Sequence, residues 1–398
     1  MQERYRAATT AVDQITGWLA DMALSSAAAE DVFAGCCTRV RAAGVPLVRG
    51  SASFHVLHPL YETMSLRWTC AGIKIEHFDF DDRDSPEWLA SPFYHAMINR
   101  LPIIRRRLTG RAALLDFPIL HELRDMGGSD YVCCIVPFDA EWRKGVAMSW
   151  LGDRRQGFTE SEVGNLAKIS QHLAVTMKTK IEGTIARNVA TTYLGPAAGD
   201  AVLQGTIRRG DGEAIDAALF YSDLRGSTGL AARMPVEDFL ATLNAHFELT
   251  AGAVQRHGGE IVSYIGDGVL AMFRAGDDLA GACARAVDAA RDAIGEPDKV
   301  APDFGVALHA GRVIHGNIGL PDRLQFTVIG AVVNEVVRVQ DLTKYIGAPL
   351  LVTRALADRV PHAWQSHGAH TLRGVEAPVE VLAPSADHSP VSEGAGGA

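Results

Sequence analysis

The segment Ala218-Leu-Phe-Tyr-Ser-Asp-Leu-Arg-Gly-Ser-Thr228 constrains this chain more than any other stretch. An apolar run suited to a buried strand ends at Asp223 and passes into small residues that lead toward a helix, so one carboxylate stands where strand gives way to turn. The segment from Glu260 to Phe273 repeats the arrangement. Two apolar runs flank Gly266-Asp267-Gly268, which reads as a β-hairpin with Asp267 at its tip. Two carboxylates at the ends of buried strands, each beside a glycine, suit a hard divalent cation such as Mg²⁺ held together with phosphate groups.

The rest of the composition narrows the setting. A chain of 398 residues has room for two or three domains with sizeable cores. Acidic side chains outnumber basic ones, 47 to 38, and no long Lys/Arg run occurs, which argues against a general nucleic-acid binder while leaving room for a local basic nucleotide pocket. No segment approaches the apolar span of a membrane helix, and Met-Gln-Glu-Arg-Tyr-Arg at the start lacks a signal-peptide core, so the expectation is a soluble cytoplasmic protein. The cysteines fall as Cys36-Cys37, Cys133-Cys134, Cys70 and Cys283, without zinc spacing, and read as buried reduced thiols.

Along the chain, helical periodicity from Ala11 to about Arg41 precedes strand-like runs at Ser51–Val56, Thr63–Trp68 and Ile73–His77. Short helices are expected over Pro92–Asn99 and Ile119–Met126, then strands at Tyr131–Pro137 and Gly145–Trp150. This order implies a mixed α+β domain over 1–157. Thr159 and Glu162 form a capping-box signature opening a long helix, whose stripe Leu166, Ile169, Leu173, Met177, Ile181, Ile185, Val189 suits either the core side of one helix or the seam of a parallel dimer. Its length tilts the reading toward the seam. Pro196 and Gly199 are expected to end it, and the segment 158–210 then serves as signalling helix and connector. From 211 to 384 strands and helices alternate in the order of a ferredoxin-like, split βαβ core with extra strands. The Ser-, Gly-, Pro- and Ala-rich tail, 385–398, is expected to be disordered.

Four linked pieces resemble the class III nucleotidyl cyclases, the adenylate/guanylate cyclase catalytic domain. They are Phe220–Thr228, Gly258-Gly through Asp267, Gly305–Gly319 and Phe326–Arg338, and the resemblance covers Ala217 to about Leu382. It implies that Asp223 and Asp267, with the Leu224 carbonyl, bind two divalent metals, Mg²⁺ or Mn²⁺, and that Arg225, Gly226, Ser227 and Thr228 wrap the phosphates. It also implies that Asn334 and Arg338, one helical turn apart, stabilise the transition state from the other subunit of a homodimer. Arg373 falls near a late basic residue that the family supplies to the triphosphate. The base-reading positions carry Ser263, where adenylate cyclases usually have Lys, and Thr327; two hydroxyls discriminate less than a fixed cationic donor. Cyclisation of ATP to 3′,5′-cyclic AMP and pyrophosphate is the first expectation. The alternatives are a guanylate or pyrimidine nucleotide cyclase, or a weakly active nucleotide-binding regulator. The first part resembles a GAF-type sensor in its strand–helix order and in the Gly152-Asp…Phe158-Thr-Glu-Ser-Glu162 ending. That implies an unidentified small-molecule or protein signal, and His55, His58, His77 and His95 are scattered candidates for a metal or haem.

Overall fold

The computed structural model describes residues 2–142, 144–295 and 303–385. All but the first residue of the tail at 385–398 lies outside the described residues. The chain divides into two compact units, Met1–Thr192 and Tyr193–Ala398.

The first unit is built on a six-stranded sheet of β1 (Leu47–His55), β2 (Thr63–Thr69), β3 (Gly72–Phe78), β4 (Ile103–Arg107), β5 (Asp130–Pro137) and β6 (Gly145–Gly152). All neighbours are antiparallel, in the order β3-β2-β1-β6-β5-β4. The period-2 alternation of strands splits the adjacent cysteines: Cys134 faces one core with Trp150 and Leu166, Cys133 the other with Leu120 and Leu123. All six cysteines are free, and Cys70 departs from expectation in being exposed. β4 carries no local strand signal, because Ile-Ile-Arg-Arg-Arg does not alternate; pairing with β5 makes it a strand at the sheet edge. Among the described residues no cluster of three or more His, Cys, Asp or Glu occurs, so the scattered histidines do not assemble a metal site.

The helix Glu160–Leu194 starts at the expected box, with Thr159 Oγ1 accepting from Glu162 N at 3.2 Å and Glu162 Oε2 accepting from Thr159 N at 2.7 Å. Its apolar stripe corrects the dimer-seam reading. Leu166, Ile169, Leu173, Met177 and Ile181 are all buried in the first unit's own core, against Leu19, Phe33 and Trp150. Only Val189, at the far end of the stripe, is exposed. The helix ends at Leu194, just before Pro196 as expected; Gly195 breaks the chain direction at φ 83°, and Pro196 then opens a further short helix, Pro196–Leu203, which the sequence reading did not include.

The second unit holds β7 (Gly212–Leu224), β8 (Glu260–Ile265), β9 (Gly268–Arg274), β10 (Phe304–Leu320), β11 (Arg323–Ile329), β12 (Leu350–Thr353), β13 (Trp364–His370) and β14 (Val379–Pro384). The sheet order is β13-β14-β12-β10-β7-β9-β8, with β11 paired to the far half of β10. Within it β10-β7-β9-β8 are antiparallel, and helices Val236–Arg256 and Leu279–Ile294 follow β7 and β9. That is the expected split βαβ arrangement. Strands β13 and β14 were not foreseen; they extend the sheet beyond β12, which runs parallel to β10.

Along β7 the faces alternate strictly. Ala218 and Phe220 pack under the helices Val236–Arg256 and Leu279–Ile294, whereas Ala217, Leu219 and Tyr221 pack under the helix Ala331–Ile346. No helix among the described residues is long and apolar enough to cross a membrane. If the stripe is core, Leu173→Ala should cost about 2–5 kcal/mol in urea unfolding, while Val189→Ala should stay within about 0.5 kcal/mol of the parent. Equal effects at the two positions would restore the seam reading.

Candidate active site

Asp223 owes its place to strand register. On β10 its partner is Gly305, and on β9 the last pair, Ser222↔Val269, puts it level with Gly268. Both flanking glycines are required. A Cβ on Gly268 would meet the Tyr221 hydroxyl at 2.5 Å, and one on Gly305 would meet Thr343 Oγ1 at 2.2 Å. The helix Ala331–Ile346 therefore lies directly over this end of the sheet, with Gln340 Nε2 donating to Gly305 O at 3.3 Å. Period 2 turns Asp223 to that same face, where Lys344 Nζ reaches its Oδ2 at 3.2 Å.

Asp267 is carried by a two-residue hairpin: Ile265 pairs with Gly268, and Gly266 takes the left-handed conformation at φ 64°. The hairpin delivers a second carboxylate beside the first. Asp223 is raised above the ordinary aspartate range, first by burial and then by the charge of Asp267, with Lys344 opposing both. Tyr221, on the same face, is pushed up to about 12 by burial and then by the two carboxylates. Asp267 Oδ2 is buried without a hydrogen-bond partner among the described residues. A buried orphan acceptor within a like-charge pair is costly unless a cation completes it. The donor set fits a hard divalent ion: two carboxylates and backbone carbonyl oxygen, leaving positions for phosphate or water. Leu224 is buried, so only its backbone is available to such an ion.

The turn after β7 is held by Arg225 and runs into a short helix. Arg225 does not face it freely: its N–H donates to Asp303 O at 2.7 Å, and its guanidinium reaches Asp303 at 3.4 Å and Thr343 O at 3.3 Å. With these contacts Arg225 ties the turn to the sheet. The helix that follows, Ser227–Ala231, has five residues, too short for a substantial macrodipole. What remains are the first-turn N–H groups of Ser227 and Thr228, exposed by left-handed Gly226 at φ 69°.

On the helix Ala331–Ile346, Val336, Val339, Gln340 and Thr343 are buried, and Asn334 and Arg338 share the exposed side. The apolar neighbours of Arg338 do not enclose it; its side chain is 44% exposed and pairs with Asp341 at 3.6 Å on its own helix. Within one chain, therefore, Asp223, Asp267 and Lys344 come together, and Asn334 and Arg338 do not join them. The helix is pinned to β10 by His309. Burial pushes this imidazole down to about 4, and in the neutral form its Nε2–H donates to Glu335 at 3.1 Å while Nδ1 accepts from the Thr353 hydroxyl at 2.7 Å.

Ser263 lies on β8 just past a bulge, its hydroxyl donating to Tyr264 O at 3.3 Å. Thr327 is buried on β11, which pairs with β10 and touches β8 without pairing to it. The base-reading candidates thus sit on two strands that touch but do not pair. The bulge and the turn remove the simple two-residue alternation that would aim Ser263 and Asp267 to one side. Arg373 is exposed between β13 and β14 and makes no ion pair among the described residues. Sequence reasoning missed Lys344 and His246. Lysine in a last helical turn looks like ordinary capping. His246 is fully buried, pushed down to about 4 by burial against the pull of Asp267, and its signal was a polar residue within the apolar stripe of Val236–Arg256.

No family model matches the chain. Curated relatives include two from Mycobacterium tuberculosis, the uncharacterized proteins Rv1319c, 35% identical over 187 residues, and Rv1320c, 33% identical over 183 residues. Each match covers 44% of this chain and 34% or 32% of the relative, so the chain spans about a third of the length of these relatives. Similar solved structures are adenylyl and guanylyl cyclases. A bacterial light-regulated adenylyl cyclase is 24% identical over 43% of this chain and 91% of its own, with a TM-score of 0.39. The guanylyl cyclase Cya2 is 24% identical over 44% and 96%, TM-score 0.37, and the adenylyl cyclase CyaB from P. aeruginosa 20% over 46% and 100%, TM-score 0.38.

Two outcomes follow from this geometry. Calorimetric titration with Mn²⁺ should show binding that Asp267→Asn removes. Lys344→Met should tighten binding by up to about fivefold, since a half-exposed ion pair competing with the metal is worth about 0.2–1 kcal/mol; weaker binding in Lys344→Met would show that the lysine supports the cation instead. The second concerns pH. His246, His309 and His315 are each held near 4, mainly by burial, against an ordinary value of 6.5. Their contribution is complete above pH 6.5 and is lost as the unfolded chain takes up protons between 6.5 and 4. The melting temperature should fall across that window, and His309→Gln should flatten the slope; an unchanged slope would remove His309 from the account.

Proposed function

We propose that this chain is a class III nucleotidyl cyclase that converts ATP to 3′,5′-cyclic AMP and pyrophosphate at sites shared between two copies. The carrying observation is the like-charge pair of Asp223 and Asp267 with its orphaned, buried Oδ2. Two divalent cations at this pair, Mg²⁺ or Mn²⁺, would acidify the ribose 3′-hydroxyl and hold the β- and γ-phosphates. The chain's own groups do the rest. Ser227 and Thr228 N–H groups bind phosphate oxygens beyond Gly226. Asn334 orients the ribose, Arg338 neutralises charge growing on the α-phosphate as the 3′-oxygen attacks and pyrophosphate departs, and Arg373 is a further candidate for the triphosphate.

Arg338 supports the shared-site reading, because in its own chain it pairs with Asp341 and not with the carboxylates. A second copy would bring it there and would also cover Ile314, Ile318, Leu320 and Ile329, which stand exposed on the β10–β11 arm. In this reading 211–384 carries catalysis, and 1–157 is a GAF-like regulatory domain answering a small-molecule or protein signal through 158–210. One observation favours a second substrate reading. Ser263 presents a single hydroxyl already turned to Tyr264 O, so guanylate or pyrimidine nucleotides remain alternatives to ATP.

Incubation with each of the four ribonucleoside triphosphates and Mg²⁺ or Mn²⁺, read by mass spectrometry, should yield a 3′,5′-cyclic product; none from any nucleotide would overturn the proposal. Asp223→Ala and Arg338→Ala should be inactive alone and partly active as verified heterodimers, and dead heterodimers would exclude shared sites. Ser263→Lys should raise the preference for ATP by roughly 1–3 kcal/mol in relative kcat/KM. An unchanged ratio would place base selection elsewhere.

A further inference from the structure

The first unit contains a cavity of about 1000 Å³ whose wall carries Arg105, Arg106, Arg107, Arg111 and Arg155. It opens at the end of the edge strand β4, framed by the segments 108–116 and 153–157. Only two acidic side chains, Asp153 and Glu160, line it as well. The arginines fall into two groups. Three are clamped from behind. Arg105 makes bonds of 2.8–3.3 Å to Asp130, which is fully buried, and reaches Glu160 at 2.6 Å. Arg106 is bidentate to Asp116, Nε and Nη2 each donating at 2.8 Å, and Arg107 holds Arg155 O at 3.2 Å and Asp130 at 3.6 Å. Arg111 and Arg155 have no ion pair among the described residues, and both are exposed at the cavity.

Two unpaired guanidinium forks beside three fixed ones leave positive charge unmatched in a recess of small-molecule size. Arg105 is needed to neutralise the buried Asp130, but neither Arg111 nor Arg155 has an acidic partner among the described residues. The apolar lining is confined to Ala112 and Leu114, with no aromatic ring, so a ligand here is recognised by its charged oxygens and not by a stacked body. Planar guanidinium forks match phosphate oxygens in pairs, and a chain of phosphates offers enough acceptors to engage several at once.

We propose that this cavity binds a small polyphosphate anion, a di- or triphosphate group, with Arg111 and Arg155 as the binding residues and Arg105, Arg106 and Arg107 as the fixed cationic wall. The site belongs to the first unit alone and stands whether or not the second unit cyclises nucleotides.

The test uses the full chain in EDTA, so that divalent cations do not recruit phosphates to Asp223 and Asp267, and tripolyphosphate as the calorimetric probe at low ionic strength. One site per chain is expected. The variant Arg111→Gln/Arg155→Gln should weaken it about tenfold or more, with an unchanged melting temperature because neither residue is ion-paired. Asp267→Asn should bind tripolyphosphate as the parent does. ATP binding much tighter than tripolyphosphate would identify a nucleotide as the source of the phosphates, and equal binding would identify the phosphate chain itself. Absence of binding up to millimolar probe, binding untouched by the double variant, or citrate binding as tightly as tripolyphosphate would each overturn the assignment.

Discussion

Two carboxylates of like charge, Asp223 and Asp267, stand together at one end of a buried sheet, and much of the second unit is arranged to hold them there. Burial and then their mutual repulsion raise Asp223, and Asp267 Oδ2 has no hydrogen-bond partner among the described residues. Such an arrangement opposes folding unless something else fixes it. The fixing comes from the long antiparallel pairing of β7 with β10, which runs from Gly212↔Gly316 to Leu224↔Phe304, and from the tight hairpin between β8 and β9. Lys344 supplies partial compensation at 3.2 Å.

The helix Ala331–Ile346 has two jobs on two faces. Its buried side, through Gln340 and Thr343, closes over Gly305 and fixes the carboxylate end of β7. Its exposed side carries Asn334 and Arg338. The His309 bridge from Glu335 to Thr353 sets the helix against β10 and β12 at once, so the presentation of Asn334 depends on a buried neutral imidazole. A helix so anchored can offer its outer face to a second copy without disturbing the carboxylates below it.

The first unit is organised differently. Its helix Glu160–Leu194 spends its stripe on its own core, and its concentration of charge lies at the edge of the sheet, where β4 lines up three arginines. Asp130, fully buried, is the pivot of that edge. It accepts from Arg105 and from Phe158 N at 2.9 Å, joining the strand to the segment that opens the long helix. The arginine-lined cavity and the helix start are therefore connected through one carboxylate.

Elements whose residues carry a local signal were readable before any packing was known. Period-2 runs located β7, β8, β9 and the core of β10; Gly266-Asp267-Gly268 located the hairpin; Thr159 and Glu162 located a helix start. These were legible because propensity, turn chemistry and capping act within a few residues. The candidate carboxylates were legible for the same reason. Tertiary structure decided everything that depends on register and neighbours. It put Lys344 on Asp223, buried His246 beside Asp267, turned Arg225 to Asp303 and left Arg338 exposed. It made Ile-Ile-Arg-Arg-Arg an edge strand and turned an apparent dimer stripe into core. An apolar stripe states that a helix face will be covered but not by what, since burial against another chain and burial against a sheet require the same residues.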